Sequence, residues 1–146
     1  MLDPTSPQQT VIRDLSMVSR KLRTLFDARV RSQGLTYARA RMLSLLANGE
    51  AVTQSELAEA LEIEQPTAVR QLDAMEAAGL IERRPSEADR RVKLLALTAA
   101  GQAQAASVLD VSGRLLAEIC DRIPARDCEE ASRILRVIGQ NIEGAA

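Results

Sequence analysis

Histidine and tryptophan are absent from this chain of 146 residues, and its aromatic side chains number one tyrosine and one phenylalanine. Without an imidazole, histidine-based zinc or haem sites and the Ser-His-Asp and Cys-His catalytic arrangements are excluded. The two cysteines, Cys120 and Cys128, are expected to be reduced, buried and apolar in behaviour, with a thiol redox switch as the competing reading. No apolar run approaches the ~20 residues that a membrane span requires. The opening MLDPTSPQQT has neither the basic nor the hydrophobic part of a signal peptide, so the cytoplasm is the expected location. No glycine-rich phosphate loop occurs, and the carboxylates are spread along solvated helix faces. An enzyme or a cofactor site has nothing to build on, and neither is expected.

What the chain does have is 46% apolar and 27% charged residues without a low-complexity tract, the composition of one compact soluble domain. The net charge of -1 and pI near 5.6 argue mildly against a nucleic-acid partner when taken as single numbers. Their distribution decides the matter instead.

The chain is organised around residues 53–98. Thr53 followed by Glu56 has capping-box spacing, which starts a helix near Gln54 with Leu57, Ala58 and Leu61 at helical spacing. A turn over residues 62–65 leads to Pro66, whose preset φ and missing donor suit the first turn of a second helix. With Leu72 taken as inward and about 100° per residue, Ala68, Val69 and Met75 fall on the buried stripe. Thr67, Arg70 and Ala74 then point outward, Gln71 and Asp73 lie on the flanks, and Glu76 comes close to the inner rim. An outward face without acid suits the major groove, where short polar or bidentate side chains meet base edges and carboxylates must avoid phosphates. Gln65, Thr67, Arg70 and Gln71 are such side chains.

Gly79 is a helix stop. Residues 80–84 and 92–97 then read as paired strands around a polar loop. From Arg83 to Lys93, five basic residues (Arg83, Arg84, Arg90, Arg91, Lys93) face two acids (Glu87, Asp89). A cationic hairpin tip beside a groove-reading helix fits the minor groove. Asp89, two residues before Arg91, is placed to accept from that guanidinium or from loop backbone and to hold the tip in shape.

The run Ile63-Glu64-Gln65-Pro66, with Val69-Arg70, Leu72-Asp73, Glu76, Gly79-Leu80-Ile81, Asp89-Arg90-Arg91 and the closing Leu97-Thr98, resembles the MarR family of bacterial transcription regulators, and within it the SlyA-type branch. The resemblance is strong from about Leu35 to Gly101; outside that stretch only helical pattern and length agree. It implies a mainly α fold with a small β-hairpin wing, a winged helix-turn-helix that binds double-stranded DNA as a transcriptional regulator. Pro66, Thr67 and Arg70 are implied on the recognition helix, and Asp89, Arg90 and Arg91 in the wing.

Long one-sided helices flank this core. Over about 9–33, Val11, Leu15, Val18, Leu22, Leu25 and Phe26 recur every three or four residues. Gly34 ends this helix, Thr36 caps the next over about 37–46 with Ala40, Met42, Leu43 and Leu46 inward, and Asn48-Gly49 closes that one. Past the wing, Thr98 caps a helix over about 99–121, Pro124 interrupts, and a last helix over about 126–142 carries Ala131, Ile134, Leu135, Ile138 and Ile142. So few aromatics cannot fill a private core at both ends. The economical use of such helices is to pack on those of a second copy, and the resemblance implies the same homodimer. The expected organisation is one domain over 1–146, with 9–34 and 99–146 as dimerisation helices and 35–98 as the DNA-binding core. Two-fold symmetry puts the recognition helices ~34 Å apart on a near-palindromic site. The resemblance further implies a pocket for a small aromatic acid or phenol, with Met17, Arg20, Tyr37, Arg41 and Met42 positioned to line it. Two other readings compete: a winged-helix protein-interaction module without DNA, and a redox sensor acting through Cys120 and Cys128.

Overall fold

A computed structural model of the chain describes residues 6–49 and 52–146; the start of the MLDPTSPQQT segment, residues 1–5, lies outside the described residues. Six helices and one hairpin follow in order: α1 (Pro7–Arg31), α2 (Tyr37–Ala47), α3 (Gln54–Leu61), α4 (Gln65–Ala77), β1 (Ile81–Pro85), β2 (Lys93–Leu97), α5 (Ala99–Ile119) and α6 (Ala125–Ala145). The helix α1 begins earlier than its apolar periodicity suggests. Ser6 accepts from the Gln9 N–H at 3.2 Å and Pro7 takes the first turn, a cap-and-proline start that lies upstream of the apolar stripe.

Local chemistry sets the other boundaries. Thr36 accepts from the Arg39 N–H at 3.2 Å to open α2. Thr53 accepts from the Glu56 N–H at 3.1 Å, as its spacing predicts. The Glu56 carboxylate reaches one residue further back than in a standard capping box and accepts from the Val52 N–H at 2.9 Å. Glu62 at φ 55° turns the chain out of α3. Gly79 at φ 74° stops α4, the left-handed position that glycine occupies without steric penalty.

The hairpin is antiparallel, with Ile81 opposite Leu97, Arg83 opposite Leu95 and Pro85 opposite Lys93. A third segment joins it: Thr53 bridges Leu94, and the Leu95 N–H donates to the Val52 carbonyl at 2.8 Å. The hairpin is thereby tied to the start of α3, a pairing that no alternation in the sequence announces.

By contact density the chain divides into two units, one ending at Gly113 and one comprising Arg114–Ala146. The first holds a core of Val30, Leu43, Leu57, Leu72, Met75, Ile81 and Val108, each no more than 2% exposed. Its closing junction is compact. The Thr98 N–H donates to the Leu80 carbonyl at 3.0 Å, and the Thr98 hydroxyl donates to the Gly79 carbonyl at 2.6 Å and accepts from the Gly101 N–H at 3.0 Å. In the second unit, α6 buries none of its residues, and Ile134, Leu135, Val137 and Ile142 are exposed. Among the described residues no helix is long and apolar enough to cross a membrane.

Candidate nucleic-acid interface

The helix α4 divides as its periodicity predicts. Ala68, Leu72 and Met75 are buried, whereas Gln65, Pro66, Arg70 and Ala74 are exposed and Thr67 is half-buried. Gln71 is half-buried too, and its Oε1 sits buried without a hydrogen-bond partner among the described residues. The Arg70 side chain has no ion pair or hydrogen bond among the described residues. Its charge therefore stands clear on the outward face of a helix whose acids lie to one side.

At the other end of the interface the wing is closed by backbone. The Ser86 N–H donates to the Val92 carbonyl at 2.9 Å and the Val92 N–H to the Asp89 carbonyl at 3.0 Å. This turn takes Val92 out of the strand that its apolar character suggests. Asp89 Oδ1 accepts from the Arg91 N–H at 3.0 Å and from Arg91 Nε at 3.3 Å, the bracing that its spacing predicts. Arg91 remains 92% exposed in its side chain, and Arg90 is exposed and unpaired among the described residues.

The five cations of the wing segment are not equivalent. Arg84 lies beside Glu82 on the same strand, Nη2 to Oε2 at 2.7 Å, and stays exposed. Arg83 departs from the expectation that it belongs to the DNA-facing set. Strand alternation places it with Ile81 on the face toward α4, where its guanidinium meets Asp73 at 2.7 Å, Glu76 at 3.2 Å and the Val69 carbonyl at 3.5 Å. Its side chain is 16% exposed. Counting charges along the sequence could not see this pairing, because Asp73 and Glu76 come from the preceding helix. On α4 and the wing, the cations without an ion pair among the described residues are therefore Arg70, Arg90 and Lys93, with Arg91 held in shape by Asp89.

The five residues expected around an effector have different surroundings. Met42 is fully buried in the core. Arg41 donates to the Ala60 carbonyl at 3.4 Å. Tyr37 stacks edge-on against Phe26 with centroids 5.7 Å apart, and the Arg23 guanidinium lies 5.2 Å from the Tyr37 ring centre. Met17 and Arg20 line a shallow groove on α1 with Leu25 and Ala28. The expectation of two buried thiols is likewise corrected: Cys120, in the turn after α5, is exposed and Cys128, in the first turn of α6, is half-buried. Desolvation pushes the Cys128 thiol above its ordinary range, and the adjacent Cys120 and the charges of Asp127 and Glu129 push the same way. A sensor thiol needs the opposite shift.

A sequence model of the MarR family matches residues 33–92. The crystal structure of transcriptional regulator PA3341 is 30% identical, superposes with a TM-score of 0.82, and the match covers 89% of this chain and 96% of that one. The chain belongs to the MarR family. Its winged-helix fold recurs in a putative MarR-family transcriptional regulator from Listeria monocytogenes, solved in complex with 26mer DNA (TM-score 0.79, 21% identity, 90% and 87% of the two chains covered). It recurs again in the transcriptional regulator SlyA (TM-score 0.78, 16% identity, 92% and 95% covered). At those identities the last two likenesses are of fold. The MarR-family match centres on residues that here form α2 to the wing, the segment that presents Arg70 and Arg91.

Proposed function

We propose that this MarR-family chain acts as a homodimer that binds a near-palindromic operator in double-stranded DNA and regulates transcription from it. The observation that carries the reading is the acid-free outward face of α4, where the Arg70 side chain has no partner among the described residues, on the same compact unit as a wing that presents Arg90 and Arg91. In it, α4 enters the major groove, with Thr67, Arg70 and Gln65 offered to base edges, Pro66 setting the helix start, and Gln71 on the less exposed flank. The wing tip reaches the neighbouring minor groove through Arg90 and Arg91, Asp89 keeping it in shape, and Arg84 lies at the border of the contact. The solved Listeria relative with its 26mer duplex supports DNA as the partner.

Dimerisation is supported by α6, a helix of 21 residues with none buried, since a helix gains most of its stability from packing an amphipathic face. Each unit also carries apolar side chains open to a partner: Leu116 and Ile119 of α5 in the second unit, and Val11, Val18 and Leu22 of α1 in the first. Residues 9–34 and 99–146 are thus the dimerisation helices around a DNA-binding core at 35–98. A small aromatic acid or phenol that favours a dimer with wrongly spaced recognition helices would release the operator.

Selection of bound duplexes from a random pool, followed by footprinting, tests the reading. The expected product is an inverted repeat with two protected half-sites about one DNA turn apart. Arg91→Ala is expected to weaken binding to every duplex and to lower the salt slope by about one unit per half-site. A purified protein that binds no duplex at low salt would refute the proposal.

A further inference from the structure

Arg83 is withdrawn from solvent on the inner face of β1, yet it serves no apolar core. Its guanidinium reaches three points on α4: the Val69 carbonyl, Asp73 at 2.7 Å and Glu76 at 3.2 Å. Val69, Asp73 and Glu76 are spaced four and three residues apart, so they form one ridge along almost two turns of the helix. A planar fork that touches three successive points of a ridge resists both sliding and rotation of the helix, which a lysine's single ammonium cannot do. The same contact compensates both carboxylates, Asp73 on the flank of the outward face of α4 and Glu76 nearer its inner rim. Meanwhile Arg83 continues in sequence to the strand that carries the wing tip, with Leu95 opposite it in the ladder.

We propose that Arg83 is a positioning residue for sequence discrimination: it fixes the recognition helix relative to the wing without touching DNA. The inference rests on the DNA-binding reading above. Base readout requires the α4 side chains and the wing tip to engage one duplex in register, whereas phosphate contacts tolerate misplacement. Loosening the brace therefore lowers discrimination and leaves the number of neutralised phosphates unchanged.

The test uses the full chain, the selected operator duplex and an unrelated duplex of equal length, with dissociation constants measured across a salt series. For Arg83→Lys, which keeps the charge and loses the fork, the ratio of non-specific to operator dissociation constants should fall about tenfold, within the range for coupled neighbours. Asp73→Asn should lower the ratio too; were Asp73 only a repulsive charge, its removal would tighten both duplexes equally. Arg83→Gln should leave the salt slope as in the wild type. A slope reduced by about one unit in that variant would make Arg83 a phosphate contact and overturn the inference, as would an unchanged ratio in Arg83→Lys. Should Arg83→Gln fail to fold by circular dichroism, Arg83→Lys and Asp73→Asn decide. A wild type that binds no duplex sinks the DNA-binding reading itself; a discriminating wild type with equally discriminating variants sinks only the role of Arg83.

Discussion

Replacing Gly101 with alanine gives a sharp test of the junction that joins α5 to the hairpin. A Cβ at this position would stand 1.9 Å from the Leu80 carbonyl oxygen, 2.9 Å from its carbonyl carbon and 3.2 Å from Leu97 Cδ2. An ordinary carbon-to-oxygen contact is about 3.3 Å, so α5 and the chain at Leu80 must separate by more than an ångström. The carbonyl cannot retreat alone. It accepts from the Thr98 N–H at 3.0 Å, and the Leu80 N–H is itself held by the Met75 carbonyl at 3.0 Å. Overpacking of this kind costs about 1–3 kcal/mol, and loss of the Thr98 bond adds about 1 kcal/mol. Against these stands the roughly 0.5–1 kcal/mol by which alanine favours a helix over glycine. The net expectation is destabilisation by about 1–3.5 kcal/mol, a fall in Tm of about 3–11 °C for a chain of this size. Thermal unfolding followed by circular dichroism at one fixed protein concentration, since a dimer's Tm depends on it, reads the change. A Gly101→Ala protein that melts at or above the wild-type temperature, as an unencumbered helical glycine would allow, refutes the packing argument.

The dimer reading predicts that Leu135→Asp or Ile142→Asp, at exposed apolar positions of α6, halves the mass seen by analytical ultracentrifugation and weakens operator binding at least a hundredfold; an unchanged dimer counts against α6 as the interface. For the thiols, the raised pKa of Cys128 means that it keeps its proton to higher pH than a free cysteine. Alkylation by iodoacetamide at pH 8, followed by peptide mapping, should therefore label the exposed Cys120 before Cys128, with the Cys128 rate rising as pH is increased. Equal rates at pH 8 would contradict that shift.

Most of the DNA-binding core is legible along the chain because its signals are local. The Thr53 and Glu56 cap, Pro66 at the start of α4, Gly79 in its left-handed turn and the Asp89 to Arg91 contact each involve residues within four positions of one another. Element boundaries and one-sided helices follow from the same short-range chemistry. What escaped is non-local. The Arg83 brace joins a strand to a helix seven to fourteen residues earlier, and the Val52 to Leu95 hydrogen bond ties the hairpin to a segment with no strand pattern. Met42 shows the complementary failure. Its spacing fits an inward position, which the core uses, and nothing local separates a core methionine from one lining a ligand site. Cys120 and Cys128 were expected inside because thiols are commonly buried, but they flank a turn at the end of a helix pair that presents apolar surface to solvent.

The location of charge explains how a chain of net charge -1 is suited to a polyanion. Non-specific attraction scales with the phosphates neutralised, and here much of the wing's apparent cationic surplus is engaged within the protein: Arg83 with Asp73 and Glu76, Arg84 with Glu82, and Arg91 in part with Asp89. On α4 and the wing, Arg70, Arg90 and Lys93 carry no ion pair among the described residues, a small number for strong adhesion of one reading surface to arbitrary sequence. In the proposed dimer, two copies acting on one duplex would multiply that attraction only where the half-site spacing matches the separation of their recognition helices. Withholding charge inside the wing therefore lowers the attraction to random DNA. On the positioning role proposed above for Arg83, its pairs with Asp73 and Glu76 would serve both ends, holding back charge and fixing α4 relative to the wing.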